Sequence, residues 1–225
     1  MRRAALLLLF SPLLAFAQEN PVLLGAQVRT RPDFDGSKKQ VIDLIPTVRY
    51  YGAPWFARTT QGILEGGVRR EAGNGLAFGA QVAYEAAGKN VDWGASGGLH
   101  VEWDTKVGPA PVNLLGRVRQ NIDTDRGAQA DLRGTVGVYG SRGVQAGVFA
   151  QATWGNSKWT RAYYDVSGGG LVYVSAGALA SYDLSRHWLL VGSVEARRLQ
   201  GDVKDSAFVE TKSAYYANAG VAYRF

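Results

Sequence analysis

The chain has 225 residues, a formal net charge of +6 and no cysteine, so neither disulfides nor thiolate metal sites can form. Its mean hydropathy of −0.12 is too polar for a bundle of membrane-spanning helices, but it suits a β-barrel whose interior is polar. The arginines are mostly single rather than clustered, which argues against a nucleic-acid partner.

The amino terminus has the features of a secretory signal peptide. Arg2 and Arg3 supply a positive region, residues 4–10 are apolar, and residues 15–17 form a small-x-small cleavage site. The apolar run is shorter than the about 20 residues that a membrane-spanning helix needs. We therefore predict a signal peptide over residues 1–17.

Residues 18–225 are predicted to form a single domain of strands. Apolar and polar residues alternate over segments that are bounded by turn signals, which is typical of strands with one apolar and one polar face. The segments with this pattern are 22–29, 41–51, 76–85, 95–104, 112–121, 129–139, 144–154, 171–184, 188–199 and 214–225. We see no internal repeat and no linker.

Residues 55–70 fit either one long strand or a hairpin that turns near residues 59–61. Bacterial single-chain barrels have an even number of strands, with both termini and the shorter turns on the periplasmic side. All the short connections share one side only if residues 55–70 form a hairpin; they are 52–54, 71–75, 107–110, 140–143 and 185–187. This predicts twelve strands, with ten as the alternative if one weak pair is a loop.

The last strand indicates which kind of β-protein this is. Every second residue back from Phe225 is apolar, and the order of Asn218, Gly220, Tyr223 and Phe225 resembles the C-terminal signal that the barrel-insertion machinery of the outer membrane recognises. A terminal strand would be an exposed edge unless it paired with the first strand. We predict an all-β, antiparallel transmembrane barrel, in contact with outer-membrane lipid and lipopolysaccharide. The alternative is the closing strand of a soluble β-sandwich.

The polar faces of the predicted strands carry charges of both signs. We expect the following to line the lumen: Arg49, Glu102, Arg117, Arg119, Asp131, Arg133, Glu195 and Arg197, with Arg29, Asp43, Glu65, Arg69, Glu85, Asp104, Asp183 and Arg224 on the same faces. Side chains just fill an eight-stranded barrel, whereas sixteen strands leave a channel. Twelve strands therefore permit either an interior filled by ion pairs or a small pore, and the excess of arginine would favour anions.

The sequence contains no catalytic constellation that we can recognise. Ser96 lies four residues before His100, about 13 Å away along a strand and beyond hydrogen-bonding reach. His187 falls in a predicted periplasmic turn, and the acidic residues of the loop 200–213 do not follow the order of calcium ligands in an EF-hand. We predict no enzymatic activity, no catalytic residue, no metal and no cofactor.

Several blocks resemble the MipA/OmpV family of outer-membrane proteins. They are residues 32–37 (Pro-Asp-Phe-Asp-Gly-Ser), 163–167 (Tyr-Tyr-Asp-Val-Ser), 182–185, 198–206 (Arg-Leu-Gln-Gly-Asp-Val-Lys-Asp-Ser) and 220–225, together with Pro46. In the second block Asp165 stands where the family usually has glycine. The likeness extends over essentially the whole mature chain.

The resemblance implies three roles for the barrel. MipA is named for its interaction with MltA, a murein lytic transglycosylase, and is viewed as a scaffold that connects this enzyme to a penicillin-binding protein; we favour this role. A small diffusion channel is the alternative. A surface adhesin is the second alternative, suggested by the aromatic and charged residues expected to be exposed in loops 31–40, 155–170 and 200–213.

Overall fold

The computed structural model describes residues 22–85 and 91–225, so the predicted signal peptide lies outside the described residues. Twelve antiparallel strands form a closed barrel in which each strand pairs with its neighbours in the chain and β1 pairs with β12. The strands are Leu23–Pro32 (β1), Gln40–Gly52 (β2), Trp55–Thr60 (β3), Ile63–Gly73 (β4), Leu76–Glu85 (β5), Gly94–Val107 (β6), Ala110–Asn121 (β7), Ala128–Ser141 (β8), Val144–Gly155 (β9), Gly170–Asp183 (β10), Trp188–Leu199 (β11) and Ser213–Arg224 (β12).

The prediction of a hairpin within residues 55–70 is confirmed, and the ten-strand alternative is wrong. β3 and β4 are joined by Gln61 and Gly62, whose φ angles are 53° and 80°. Two consecutive residues with positive φ form the tight turn that matches the twist of an antiparallel hairpin. The prediction that the last strand closes the barrel on the first is also confirmed, with Leu23 opposite Arg224 and Thr30 opposite Ala217.

The two ends of the barrel differ. At one end, which we call the short-turn end, the connections are residues 53–54, 74–75, 108–109, 142–143 and 184–187, and both termini of the barrel lie there. At the other end, the loop end, the connections include residues 33–39, 122–127, 156–169 and 200–212. This arrangement follows the parity argument made from the sequence.

The outer face of the barrel is apolar. Outward side chains such as Ile42 and Leu44 on β2 are 77% and 76% exposed, and Leu99 on β6 is 67% exposed. A large exposed apolar surface of this kind marks contact with a partner or a membrane. None of the helices in the described ranges is long and apolar enough to span a membrane.

The wall of the barrel has a notch at β3. β2 pairs with β3 only from Arg49 to Gly52, and within the described residues the same edge of β2 has no strand partner from Gln40 to Val48. Just before the paired residues, the amide of Val48 donates a hydrogen bond to Thr59 Oγ1 at 3.3 Å. Peptide groups alternate between the two edges of a strand, so the backbone nitrogen of Pro46 faces the same edge as that of Val48. This edge is unpaired at Pro46, and a residue without an N–H is tolerated there.

Residues 155–170, predicted as a loop, do connect two strands, but this connection contains a helix that was not predicted, Ser157–Tyr164 (α1). Asn156 caps it by accepting a hydrogen bond from the amide of Trp159 at 2.9 Å, which is a common way to begin a helix. Short 3-10 helices also occur at Thr124–Arg126 and Gly201–Asp205.

Two of the three aromatic residues of α1, Trp159 and Tyr164, are buried, and Tyr163 is partly buried. Trp159 and Tyr164 retain 7% and 4% of their exposure and pack with Val172, Leu199 and Val203 in one apolar cluster at the loop end. Burial raises the pKa of the Tyr164 phenol well above its usual value, because the charged form is disfavoured away from water. The exposed aromatic surface on which the adhesin hypothesis relied is therefore reduced.

Candidate functional site

A chain of ion pairs fills one side of the lumen. Arg58 on β3 donates to Glu65 on β4 and to Glu102 on β6. β6 is not a neighbour of β3, so the second of these bonds crosses the interior. Arg117 on β7 then donates to Glu65 at 3.0 Å, and its other terminal nitrogen lies 3.2 Å from Asp131 on β8. The side between β3 and β8 is thus closed by mutually neutralised groups.

Further bonds extend this network along the barrel. Arg119 and Thr153 both donate to Asp131, at 2.7 Å and 2.8 Å, and Arg69 donates to Glu102 at 3.2 Å. Gln81 donates to the Glu65 carboxylate at 2.9 Å. Because each carboxylate has several donors, the charges are compensated although water is excluded, as buried ion pairs require.

The opposite side of the lumen is hollow. A cavity of about 430 Å³ is lined mainly by β9–β12, β1 and β2, where several inward side chains are short, such as Thr47, Ser181 and Ser193, and it extends to Arg58 and Arg133 on the filled side. A second cavity, of about 120 Å³, lies nearer the loop end. The two cavities share four lining residues, which are Arg29, Gln61, Gly62 and Tyr216.

The turn between β3 and β4 forms the boundary between the cavities. Gln61 reaches across the lumen and donates through Nε2 to Glu195 on β11 at 2.9 Å. Arg29 donates to the Gln61 carbonyl at 3.3 Å and is itself held by Asp43 at 2.7 Å. Gln61, held through its side chain and its backbone carbonyl, therefore lies in the constriction between the two cavities, next to Arg29 and Tyr216.

The loop between β1 and β2 covers the smaller cavity. Asp35 in this loop accepts hydrogen bonds from Arg197 Nη1 at 2.6 Å and from the Tyr216 hydroxyl. The guanidinium of Arg197 lies between two aromatic rings, 4.1 Å from the centre of Tyr173 and 4.4 Å from that of Tyr216. Glu195 accepts from Arg197 at 3.1 Å, so the charges at this mouth of the lumen are also paired.

Arg133 differs from the arginines of the ion-pair network. Its guanidinium lies 3.8 Å from the centre of the Phe149 ring and lines the larger cavity. Nε is 3.5 Å from Thr135 Oγ1, and Nη1 is buried without an acceptor. Among the described residues, no carboxylate lies within 4 Å of this guanidinium.

The structure places the residues expected to line the lumen as follows. Glu102, Arg117, Arg119 and Asp131 lie in the ion-pair network, Arg49 and Arg133 line the larger cavity, and Glu195 and Arg197 lie at its boundary. Asp183 and Arg224 pair at 2.8 Å at the short-turn end. The side chain of Glu85 is outside the described part of the structure.

Sequence reasoning missed three residues that organise this site. Arg58 and Gln61 lay in the stretch whose strand assignment was ambiguous, and Asp35 lay in a loop that was expected to face solvent. The Gln61-Gly62 pair in residues 59–62 was a signal for a two-residue turn. Nothing in the sequence indicated that this turn contacts β11.

The residues of the predicted assembly signal lie on both faces of β12. Asn218 faces the lumen and donates to Ser193 Oγ at 2.7 Å. Tyr223 and Phe225 face outward, with ring centres 4.8 Å apart. At Gly220, an added Cβ would lie 2.1 Å from the carbonyl oxygen of Ala26 on β1, so this glycine allows the two closing strands to approach.

Neither histidine is arranged for catalysis. His100 is buried, its two ring nitrogens have no hydrogen-bond partner, and its ring packs edge-on against Phe56 with centres 5.0 Å apart. Nδ1 of His187 lies 3.1 Å from the Arg224 carbonyl. Within residues 22–85 and 91–225 we find no serine–histidine hydrogen bond to either ring and no group of three potential metal ligands.

Residues 24–225 match the family model described as MltA-interacting protein MipA. The chain belongs to the MipA family. The resemblance inferred from the sequence is thereby confirmed. No curated protein matches the chain.

Two solved structures are similar to this MipA-family chain. One is the NanC porin, with a TM-score of 0.57 and 12% identity over 90% of this chain and 100% of that chain. The other is an outer membrane channel from Pseudomonas putida F1, with a TM-score of 0.55 and 11% identity over 91% of this chain and 95% of that chain. At these identities the likeness shows the fold alone, which is that of an outer-membrane β-barrel.

Proposed function

We propose that this chain is a non-enzymatic scaffold of the outer membrane that holds murein-remodelling enzymes, namely a lytic transglycosylase and a penicillin-binding protein. The observation that carries the proposal is membership of a family described as MltA-interacting, over nearly the whole chain. The network that fills half of the lumen supports it, because a scaffold needs a rigid body rather than an open pore.

The short-turn end offers the docking surface. Both termini and the shorter turns of bacterial barrels face the periplasm, where murein lies. This rim carries the exposed cations Lys106, Arg142 and Arg186, and none of them has a carboxylate within 4 Å among the described residues. Unpaired charges at an interface speed the encounter with a partner of opposite charge. We therefore expect the partner to present an acidic surface.

The test is retention of a purified lytic transglycosylase on the immobilised, folded barrel. We compare Arg142→Glu/Arg186→Glu at the rim with a matched control, Lys38→Glu/Lys158→Glu, which makes the same change of charge at the loop end. We expect the parent and the control to retain the enzyme and the rim variant to retain at least tenfold less. No retention by the parent would refute the scaffold, and equal retention by both variants would exclude the rim as the docking surface.

We propose a narrow channel for small anions as the second candidate. The supporting observation is that two cavities, of about 430 Å³ and 120 Å³, share a boundary at which Gln61 lies. The arginines at this boundary, Arg29 and Arg197, would favour anions. Conductance steps of the refolded protein in a planar bilayer, with a reversal potential that indicates anion preference, are expected; a silent bilayer with inserted barrel would refute this function.

A further inference from the structure

The larger cavity is lined by the positively charged side chain of Arg133, which has no carboxylate within 4 Å among the described residues. The Arg133 side chain lines this cavity and is 9% exposed. Its Nη1 atom has no acceptor among the described residues, and the only hydroxyl near Nε is that of Thr135, at 3.5 Å. A buried charge is costly unless it is paired, so this guanidinium is arranged to receive an acceptor.

Six other charged groups that line the cavity have partners. Three arginines that line it each bind a carboxylate: Arg29 binds Asp43, Arg58 binds Glu65 and Glu102, and Arg69 binds Glu71. The carboxylates that line it are likewise engaged, since Glu195 accepts from Arg197 and Gln61, and Asp104 accepts from Asn113 at 2.9 Å. Within the described residues, none of these carboxylates is within 4 Å of Arg133.

The walls next to Arg133 are apolar. Phe149 stacks on its guanidinium at 3.8 Å, and Leu115, Leu179 and Leu189 also line the cavity. The volume of about 430 Å³ lies within the range of small-molecule sites, about 300–1,000 Å³. A cavity that combines apolar wall sections with several polar groups, among them Arg133, has the usual composition of such a site.

We propose that this cavity binds a small organic monocarboxylate with an apolar body. The planar guanidinium of Arg133 matches a carboxylate through two parallel hydrogen bonds, and the negative charge of the ligand neutralises the positive charge of Arg133. The apolar body lies along Phe149 and the leucine side chains. The site requires neither passage through the barrel nor a murein enzyme, so its failure and the failure of either function above are distinguishable.

The test is calorimetric titration of the refolded full barrel with 4-phenylbutyrate and with its neutral analogue, 4-phenyl-1-butanol. We expect the alcohol to bind the parent at least tenfold more weakly than the acid. Arg133→Gln keeps a polar side chain of similar length without the charge, and we expect it to abolish this difference. The matched control is Arg161→Gln, at an exposed arginine of α1 that does not line the larger cavity, which should bind like the parent.

Three results would overturn the proposal. The first is equal affinity of the parent for the acid and the alcohol. This comparison uses the parent alone, so it tests the proposal even if Arg133→Gln does not fold. The second is unchanged affinity of folded Arg133→Gln for the acid. The third is tighter binding of phenylphosphonate than of the carboxylate, because a phosphonate-type anion would then be the ligand.

Discussion

Replacing Gln61 with glycine removes the side chain that separates the two cavities while keeping the turn on which it sits. Gln61 has a φ of 53°, a left-handed conformation that glycine adopts without strain. Its side chain donates to the Glu195 carboxylate at 2.9 Å. The substitution therefore widens the constriction without a change in backbone conformation.

The size of the effect follows from the bond that is lost. A hydrogen bond to a charged group contributes about 1.5–3 kcal/mol, and each 1.36 kcal/mol of a barrier is a factor of ten in rate. If solutes pass only when this bond breaks, Gln61→Gly raises the rate of passage by about 10- to 150-fold. Glycine removes the strain of a non-glycine residue at positive φ, which offsets the lost stability by about 1 kcal/mol. We therefore expect the variant to fold.

The assay is single-channel conductance of the refolded barrel in a planar bilayer, with swelling of solute-loaded liposomes as a second measurement. Asn74→Gly is the matched control, because Asn74 also has a positive φ, 51°, but lies in the turn between β4 and β5 at the short-turn end. We expect the control to behave as the parent does. Unchanged conductance of folded Gln61→Gly, or an equal rise in the control, would refute the reasoning.

Three further changes test the interior, the closure and the helix. Glu65→Gln leaves two buried arginines without full compensation and should lower the free energy of unfolding by about 3–5 kcal/mol, measured in urea, whereas the mostly exposed Glu71→Gln should change it by less than about 0.5 kcal/mol. Gly220→Ala, whose Cβ would meet a backbone oxygen at 2.1 Å, should reduce the folded fraction on a heat-modifiability gel, and Gly116→Ala, with open space, should not. Asn156→Ala should cost about 0.5–2 kcal/mol through loss of the α1 cap, seen as faster proteolysis in that loop; an unchanged rate would contradict it.

The barrel itself could be predicted because its two faces have different solvents. Side chains alternate along a strand, so the apolar outer face and the polar lumen appear in the sequence as period-two segments. Ile42 and Leu44 on one side of β2, with Asp43 on the other, show this pattern. The parity of the short turns then decided the ambiguous hairpin, because a barrel must return to the side on which it began.

The helix α1 and the cap over the lumen could not be predicted in the same way. α1 is eight residues long and is stabilised by burial of Trp159 and Tyr164 against Val172 and Leu199, and Leu199 lies on β11, which is distant in sequence. A short helix of this kind owes its stability to packing rather than to local propensity. Asp35 likewise pairs with Arg197 on β11, and no spacing in the sequence indicates that contact.

The lumen shows why a correct set of inward residues does not yet define a site. The alternation places arginines and carboxylates inside but does not say which strands face one another across the barrel. Long inward side chains on β3–β8, such as Arg58 and Arg117, meet and neutralise each other, whereas short ones on β10 and β11, such as Ser181 and Ser193, leave space. Arg133 lies where the filled half meets the hollow half, so it lines the cavity without a carboxylate within 4 Å among the described residues. Because long inward side chains lie on one side of the barrel and short ones on the other, the same lumen contains both the ion-pair network and the larger cavity.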